Sequence, residues 1–132
     1  MIAAFAALGV RAVFKPISDL ALLDGEKKFS GNAQHRGRNY ILHHGTILYD
    51  FDLSVIPRFL KMPRDIPPYR RDRSHLEFVA NVGLKAAIIK AAVQKVFDVR
   101  REENFVNSKE NECLQRFLET REVIVRLDPQ KF

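Results

Sequence analysis

With a single cysteine, Cys113, the chain has no internal disulfide framework, which fits a reducing compartment. It has no tryptophan and no run of 18 apolar residues, so no membrane-spanning helix is expected. The apolar opening Met1–Val10 lacks the preceding basic residues of a secretory signal, and Arg11 follows it instead. A buried helix is the reading that remains. Glycine is scarce as well. There are six, and no two are adjacent, so these 132 residues contain no run of glycines to cradle a phosphate by its backbone.

What is present suits one soluble domain of 132 residues. Apolar residues make up 46% and charged residues 29%. A domain of this size buries about two-thirds of the surface its unfolded chain exposes, and ten phenylalanines supply core material. The net charge of +6 favours anionic partners without choosing among them.

Residues 2–8 read as a helix stopped by Gly9, expected to follow another segment of a larger fold because it starts without an N-cap. Arg11–Lys15 alternates as a strand, and Leu20–Leu23 is a short apolar run. Asp24-Gly25 predicts a hairpin, with Lys28–Ser30 as the returning strand. Ser30-Gly31-Asn32-Ala33 predicts an irregular turn. Two strand-like pieces, Tyr40–Leu42 and Thr46–Phe51, are expected to be broken at His43-His44-Gly45. Ser54 is the expected N-cap of a helix to Leu60, followed by a basic loop, Lys61–Arg73. Ser74-His75-Leu76-Glu77 is a capping box. Lys85–Phe97 predicts an amphipathic helix with Ile89, Val93, Val96 and Phe97 facing inward. Arg100–Glu110 reads as a loop, Cys113–Leu118 as a helix and Glu122–Leu127 as a final strand. The pattern is α+β, a mixed or antiparallel sheet with helices packed on it, rather than regular βαβ alternation.

The chemistry is densest between Asp19 and Asp52. A lysine on a strand leaving a tight hairpin can set a compact positive charge beside a phosphate or a developing oxyanion. Ser30-Gly31 would let a ligand approach the backbone closely. The ordinary alternative for Lys28 is a solvated hairpin lysine. His43-His44 are adjacent on a strand, so they point to opposite faces and cannot converge on a metal. Ser30 lacks the Gly-x-Ser-x-Gly setting of a hydrolase nucleophile. Asp50 and Asp52, ahead of a helix, read as turn and capping residues. The cluster Arg58, Lys61, Arg64, Arg70, Arg71 and Arg73, with Tyr69 among them, reads as a solvated loop, a nucleic-acid surface or a docking face for an acidic domain.

Asp19-Leu20, Gly25-Glu26-Lys27-Lys28-Phe29-Ser30-Gly31-Asn32-Ala33-Gln34 and Leu42-His43-His44-Gly45-Thr46-Ile47-Leu48 resemble, in order and spacing, successive blocks of the lipoate–protein ligase family. The resemblance is strong over residues 8–60 and weak in 61–132. It implies part of a biotin/lipoate ligase-like catalytic domain over 1–132, truncated at its N-terminus. It also implies ATP-dependent attachment of lipoate, through lipoyl-adenylate, to a lysine of an acceptor domain. Lys28 matches the lysine that contacts the acyl-adenylate, with Lys27 facing the other side of the strand. Asp19 matches the aspartate near the nucleotide and its magnesium, although Ser18 stands where the family has asparagine. Ser30, Gly31, Asn32, Ala33, His44 and Gly45 match the residues along the acyl-adenylate pocket.

The cofactors implied are ATP and magnesium, with lipoate as substrate and a cytoplasmic setting. The partners implied are a lipoyl acceptor domain of a 2-oxoacid dehydrogenase or glycine-cleavage protein and a separate N-terminal half, not nucleic acid or membrane. Relatives carry an earlier glycine-rich block that this sequence lacks, so the chain is expected to be incomplete alone. The rivals are an octanoyl or lipoyl transferase of the same fold and a non-catalytic binding subunit. A transferase of the thiol type needs a cysteine ahead of Lys28, and Cys113 lies far downstream.

Overall fold

The computed structural model describes residues 1–38 and 40–99, together with the backbone of 125–127. Helix α1 (Ile2–Ala6) leads into strands β1 (Ala12–Lys15), β2 (Asp19–Leu22), β3 (Lys28–Arg36) and β4 (Ile41–Ile47). Short helices α2 (Ile56–Phe59) and α3 (His75–Phe78) and the longer α4 (Ala86–Val96) follow, and β5 (Val125–Leu127) closes the sheet. Among the described residues the five strands lie in the order β1-β2-β3-β4-β5, every neighbouring pair antiparallel. This is the expected α+β architecture.

One face of the sheet is covered by α1 and α4. Leu20 and Phe29 meet Ala4 and Phe5 of α1 and Ile89 and Val93 of α4 in the core. Phe5 and Phe29 pack edge to face with ring centroids 4.8 Å apart, the geometry their quadrupoles favour. Ile89 and Val93 sit four apart and so share one stripe of α4. Val96 does not join them; at 43% exposure it points outward, and Phe97, just past the helix end, is half-buried instead. After Gly9, in the left-handed conformation at φ +77°, the chain turns from α1 toward β1.

Three local expectations are corrected. Ser30–Ala33 is no turn: β3 runs straight through it, paired with β4 from Ser30↔Ile47 to Arg36↔Ile41. The irregularity is one residue earlier. Leu20 pairs with Ser30 but Ala21 pairs with Lys28, so Phe29 is an extra residue and β3 carries a bulge. Nor is β4 broken at His43-His44-Gly45, because Gly45 leaves room for the Asn32 side chain of the neighbouring strand. Finally, Asp52 rather than Ser54 makes the cap: its carboxylate accepts from Ser54 N (3.0 Å) and Oγ (2.7 Å) ahead of a 3₁₀ turn, Leu53–Val55, that leads into α2. The Ser74–Glu77 capping box is present with both reciprocal bonds. The loop and helix expected over 100–118 lie outside the described residues. The final strand is described at Val125–Leu127, where it pairs with β4.

Candidate functional site

The bulge decides which side chains meet. Strict alternation along β3 would put Lys28, Ser30 and Asn32 on one face. With Phe29 inserted, Phe29 and Ser30 both turn toward the helices, while Lys28 joins Gly31 on the opposite face. The register gives the reason. Ala21 and Asp19 are two apart on β2 and therefore share a face, and they pair with Lys28 and Gly31 respectively.

On that face, which the Tyr69 loop covers, Lys28 Nζ lies 2.8 Å from Asp19 Oδ1. Gly31 makes the approach possible, since a Cβ there would sit 3.2 Å from Lys28 Nζ. The second Asp19 oxygen, Oδ2, accepts a 2.7 Å hydrogen bond from the Tyr69 hydroxyl. Asp19 is only 7% exposed, so both its oxygens are spent on protein donors in a nearly dry setting. Burial first, and the Asp19 carboxylate second, push the Tyr69 phenol well above its ordinary pKa, so it remains a donor.

Tyr69 is held by its own loop. Its ring packs on Phe78 (5.1 Å), and Lys15 Nζ lies 5.8 Å from its centroid. Arg73 donates to Tyr69 O (2.6 Å) and to Gly25 O of the β2–β3 hairpin (3.0 Å). Arg70 and Arg73 each donate from Nε to the other's carbonyl (3.1 and 3.0 Å), and both guanidinium groups lie over Phe78 (4.6 and 5.3 Å). Arg70 is 4% exposed, and burial lowers its pKa. Lys15 also pairs with Glu26, whose carboxyl this hydrogen bond holds below its usual range.

The helix-covered face holds a different cluster. Asn32 Nδ2 donates to Ser18 O (3.0 Å) and Ser30 Oγ (3.2 Å). Beyond it lies a mostly apolar cavity of about 220 Å³, lined by Met1, Phe14, Ser18, Leu20, Asn32, Ala33, Gln34 and His43. His43 Nε2 is buried and has no hydrogen-bond partner among the described residues, and burial pulls the pKa of His43 down.

The arrangement is a partly exposed lysine paired with a buried carboxylate beside a glycine, on the sheet face that Tyr69 and its loop cover. The model of the family described as lipoyl protein ligase A/B catalytic domain matches residues 1–99. This chain belongs to that family. Similar proteins include one from Schizosaccharomyces pombe that carries a lipoate-protein ligase A name, 38% identical over 63 residues (48% of this chain, 17% of the relative). "Inactive lipoate–protein ligase 2" of Plasmodium falciparum is 36% identical over 58 residues (44% and 15%). "Octanoyltransferase LipM" of Symbiobacterium thermophilum is 39% identical over 59 residues (45% and 22%). The matched stretches thus span about a fifth or less of those relatives. Among solved structures, a bi-partite lipoate protein ligase of Thermoplasma acidophilum, described with its E2 lipoyl domain, superposes with a TM-score of 0.62 at 23% identity. That match covers 90% of this chain and 50% of the other, and it establishes the fold.

Within this ligase-family chain the structure unites Asp19, Lys28 and Gly31. Ala33 and His44 pair with each other further along the sheet, and both are exposed. Ser30 and Asn32 turn to the helix-covered face, away from Lys28. Gly45 serves Asn32, because a Cβ there would meet Asn32 Oδ1 at 2.5 Å and Gly31 O at 2.8 Å. Lys27 is exposed and lies just ahead of the first residue of β3. Among the described residues no three His, Cys, Asp or Glu side chains gather as a metal site. Each Asp19 oxygen takes one protein donor, Lys28 on Oδ1 and Tyr69 on Oδ2.

Sequence reading missed Tyr69. In the sequence it is one tyrosine among the bases of residues 58–73, and nothing local points its hydroxyl to an acceptor 50 residues away. Arg70 and Arg73 are likewise not a solvated pair but a brace for the loop. No helix among the described residues is long and apolar enough to cross a membrane.

Proposed function

We propose that this chain handles an activated lipoyl group as a lipoate–protein ligase, with Lys28 as the residue that contacts the acyl-adenylate. The observation that carries this reading is the partly exposed Lys28 ammonium, held by Asp19 beside Gly31, inside the Gly25–Gln34 block. In the proposed reaction the lipoate carboxylate attacks the α-phosphorus of ATP and pyrophosphate leaves. The amine of the acceptor lysine then attacks the acyl carbon, loses a proton, and AMP departs. A fixed ammonium favours both steps, since each builds negative charge on oxygen. Magnesium belongs to this reading as part of the MgATP substrate.

The acceptor in this reading is a lipoyl domain of a 2-oxoacid dehydrogenase or glycine-cleavage protein, and the setting is cytoplasmic. A glycine-rich wall for the nucleotide would come from outside these 132 residues, as a separate N-terminal half. The similarity to an octanoyltransferase and to a ligase called inactive supports a second reading: acyl transfer from a carrier, or a non-catalytic subunit.

The test is to mix the chain with ATP, magnesium, lipoate and an apo acceptor domain, with a parallel tube given preformed lipoyl-adenylate, and to read the acceptor's intact mass. A lipoyl mass gain that Lys28→Ala abolishes supports the ligase. Gain with lipoyl-adenylate alone places the defect in activation. No gain in either tube removes the proposal for the chain on its own and directs the search to a partner half.

A further inference from the structure

We infer that Tyr69 is a positioning residue for Lys28, acting through Asp19, and that the loop 61–73 thereby belongs to the site. Its importance for acyl transfer rests on the function proposed above; the coupling itself does not.

Three observations carry it. Asp19 is nearly buried, with one oxygen on Lys28 (2.8 Å) and the other on the Tyr69 hydroxyl (2.7 Å). A carboxylate held at both oxygens has its plane fixed, so the direction in which it draws the lysine is fixed too. Tyr69 is itself anchored, because its ring lies on Phe78 and its carbonyl is gripped by Arg73, which also binds the hairpin from which Lys28 emerges. A residue 41 positions beyond Lys28 in sequence is therefore tied back to Lys28 from both sides, by the hydroxyl and by the arginine brace. Without the hydroxyl, Asp19 Oδ2 has no donor among the described residues and the carboxylate is free to rotate toward water. Lys28 then loses its orientation and becomes more available to solvent.

This can be read without ATP, lipoate or an acceptor. Lys27, exposed and adjacent, serves as an internal reference. Brief treatment with a water-soluble acetylating ester, followed by fragment mass spectrometry, gives the Lys28/Lys27 acetylation ratio. Tyr69→Phe removes one atom and keeps the ring on Phe78, so the loop retains its packing. The ratio is expected to rise about threefold or more in Tyr69→Phe and at least as much in Asp19→Asn. The double variant is expected to match Asp19→Asn alone, because two residues acting in series do not add. A ratio that is unchanged or lower in Tyr69→Phe, or effects that multiply in the double variant, overturns the inference. A shifted ratio with no acceptor lipoylation would remove the ligase reading for the chain on its own and leave the positioning role standing.

Discussion

Gly45→Ala tests the account of β4 directly. Gly45 is in a regular strand, so its need for glycine comes from its neighbours. An added Cβ would lie 2.5 Å from Asn32 Oδ1 and 2.8 Å from Gly31 O. The first neighbour could swing away, but the second is backbone inside the β3–β4 ladder. Overpacking of this kind costs about 1–3 kcal/mol. Displacing Asn32 also loses its bonds to Ser18 O and Ser30 Oγ, each worth about 0.5–1.5 kcal/mol. The narrower unfolded ensemble of alanine returns about 0.4–1 kcal/mol. The net expectation is about 1–6 kcal/mol of destabilisation, centred near 3 kcal/mol, or roughly 10 °C in Tm for a domain of this size. Urea and thermal melts followed by circular dichroism measure it. Gly31→Ala is the contrast. Its Cβ meets the far end of the Lys28 side chain, Nζ at 3.2 Å, and Asp19 Oδ1 in ordinary contact at 3.8 Å, so stability should change by less than about 1 kcal/mol while the Lys28–Asp19 pair is displaced. If Gly45→Ala melts with the wild type, or Gly31→Ala is the more damaging of the two, the reasoning about the two faces is wrong.

Phe29→Ala should cost about 3–5 kcal/mol, because the ring is fully buried against Phe5; that is a large share of the usual 5–15 kcal/mol, and a melt retaining most of the wild-type stability would contradict the core assignment. Asn81→Ala should cost about 1–3 kcal/mol, since the side chain mimics a strand partner for Phe51, donating to its O (2.8 Å) and accepting from its N (3.1 Å); urea midpoints check it. His43 has its folded pKa lowered by burial, so below about pH 6.5 the unfolded chain binds a proton that the fold refuses. Stability present above that pH should fall as pH drops through the lower folded value, and His43→Gln should flatten the slope; equal slopes in both proteins would count against it.

Much of the fold was legible in short-range chemistry. Asp24-Gly25 announced the hairpin, although the positive φ falls on Gly25 and Glu26. Ser74 and Glu77 announced their capping box, and the apolar spacing of Ile89 and Val93 announced α4. The alternation of β1 and the order of the motif blocks were equally local. Each of these depends on residues within a turn or two of one another, where backbone propensity and side-chain reach decide the outcome.

The site was only half legible, and its two failures have one cause. Ser30-Gly31-Asn32-Ala33 looks like a turn because small and polar residues favour turns in isolation, yet pairing with β4 on one side and β2 on the other overrides that preference. Residue types alone could not say that Phe29 would be the extra residue of a bulge. That depends on Phe29 seeking Phe5, 24 residues away, and on Leu20 choosing Ser30 as its partner across the hairpin. The sequence by itself determined which chemical groups are available: the lysine after the hairpin, the aspartate before it, and the glycine between two strands. Tertiary structure decided which of them meet. The bulge turned Lys28 to the side of Asp19 and sent Ser30 and Asn32 to the other, and a loop 50 residues away supplied the tyrosine that completes the set. Chain order constrains neighbours along the backbone, but only the packed sheet brings a carboxylate, an ammonium and a phenol within hydrogen-bond reach.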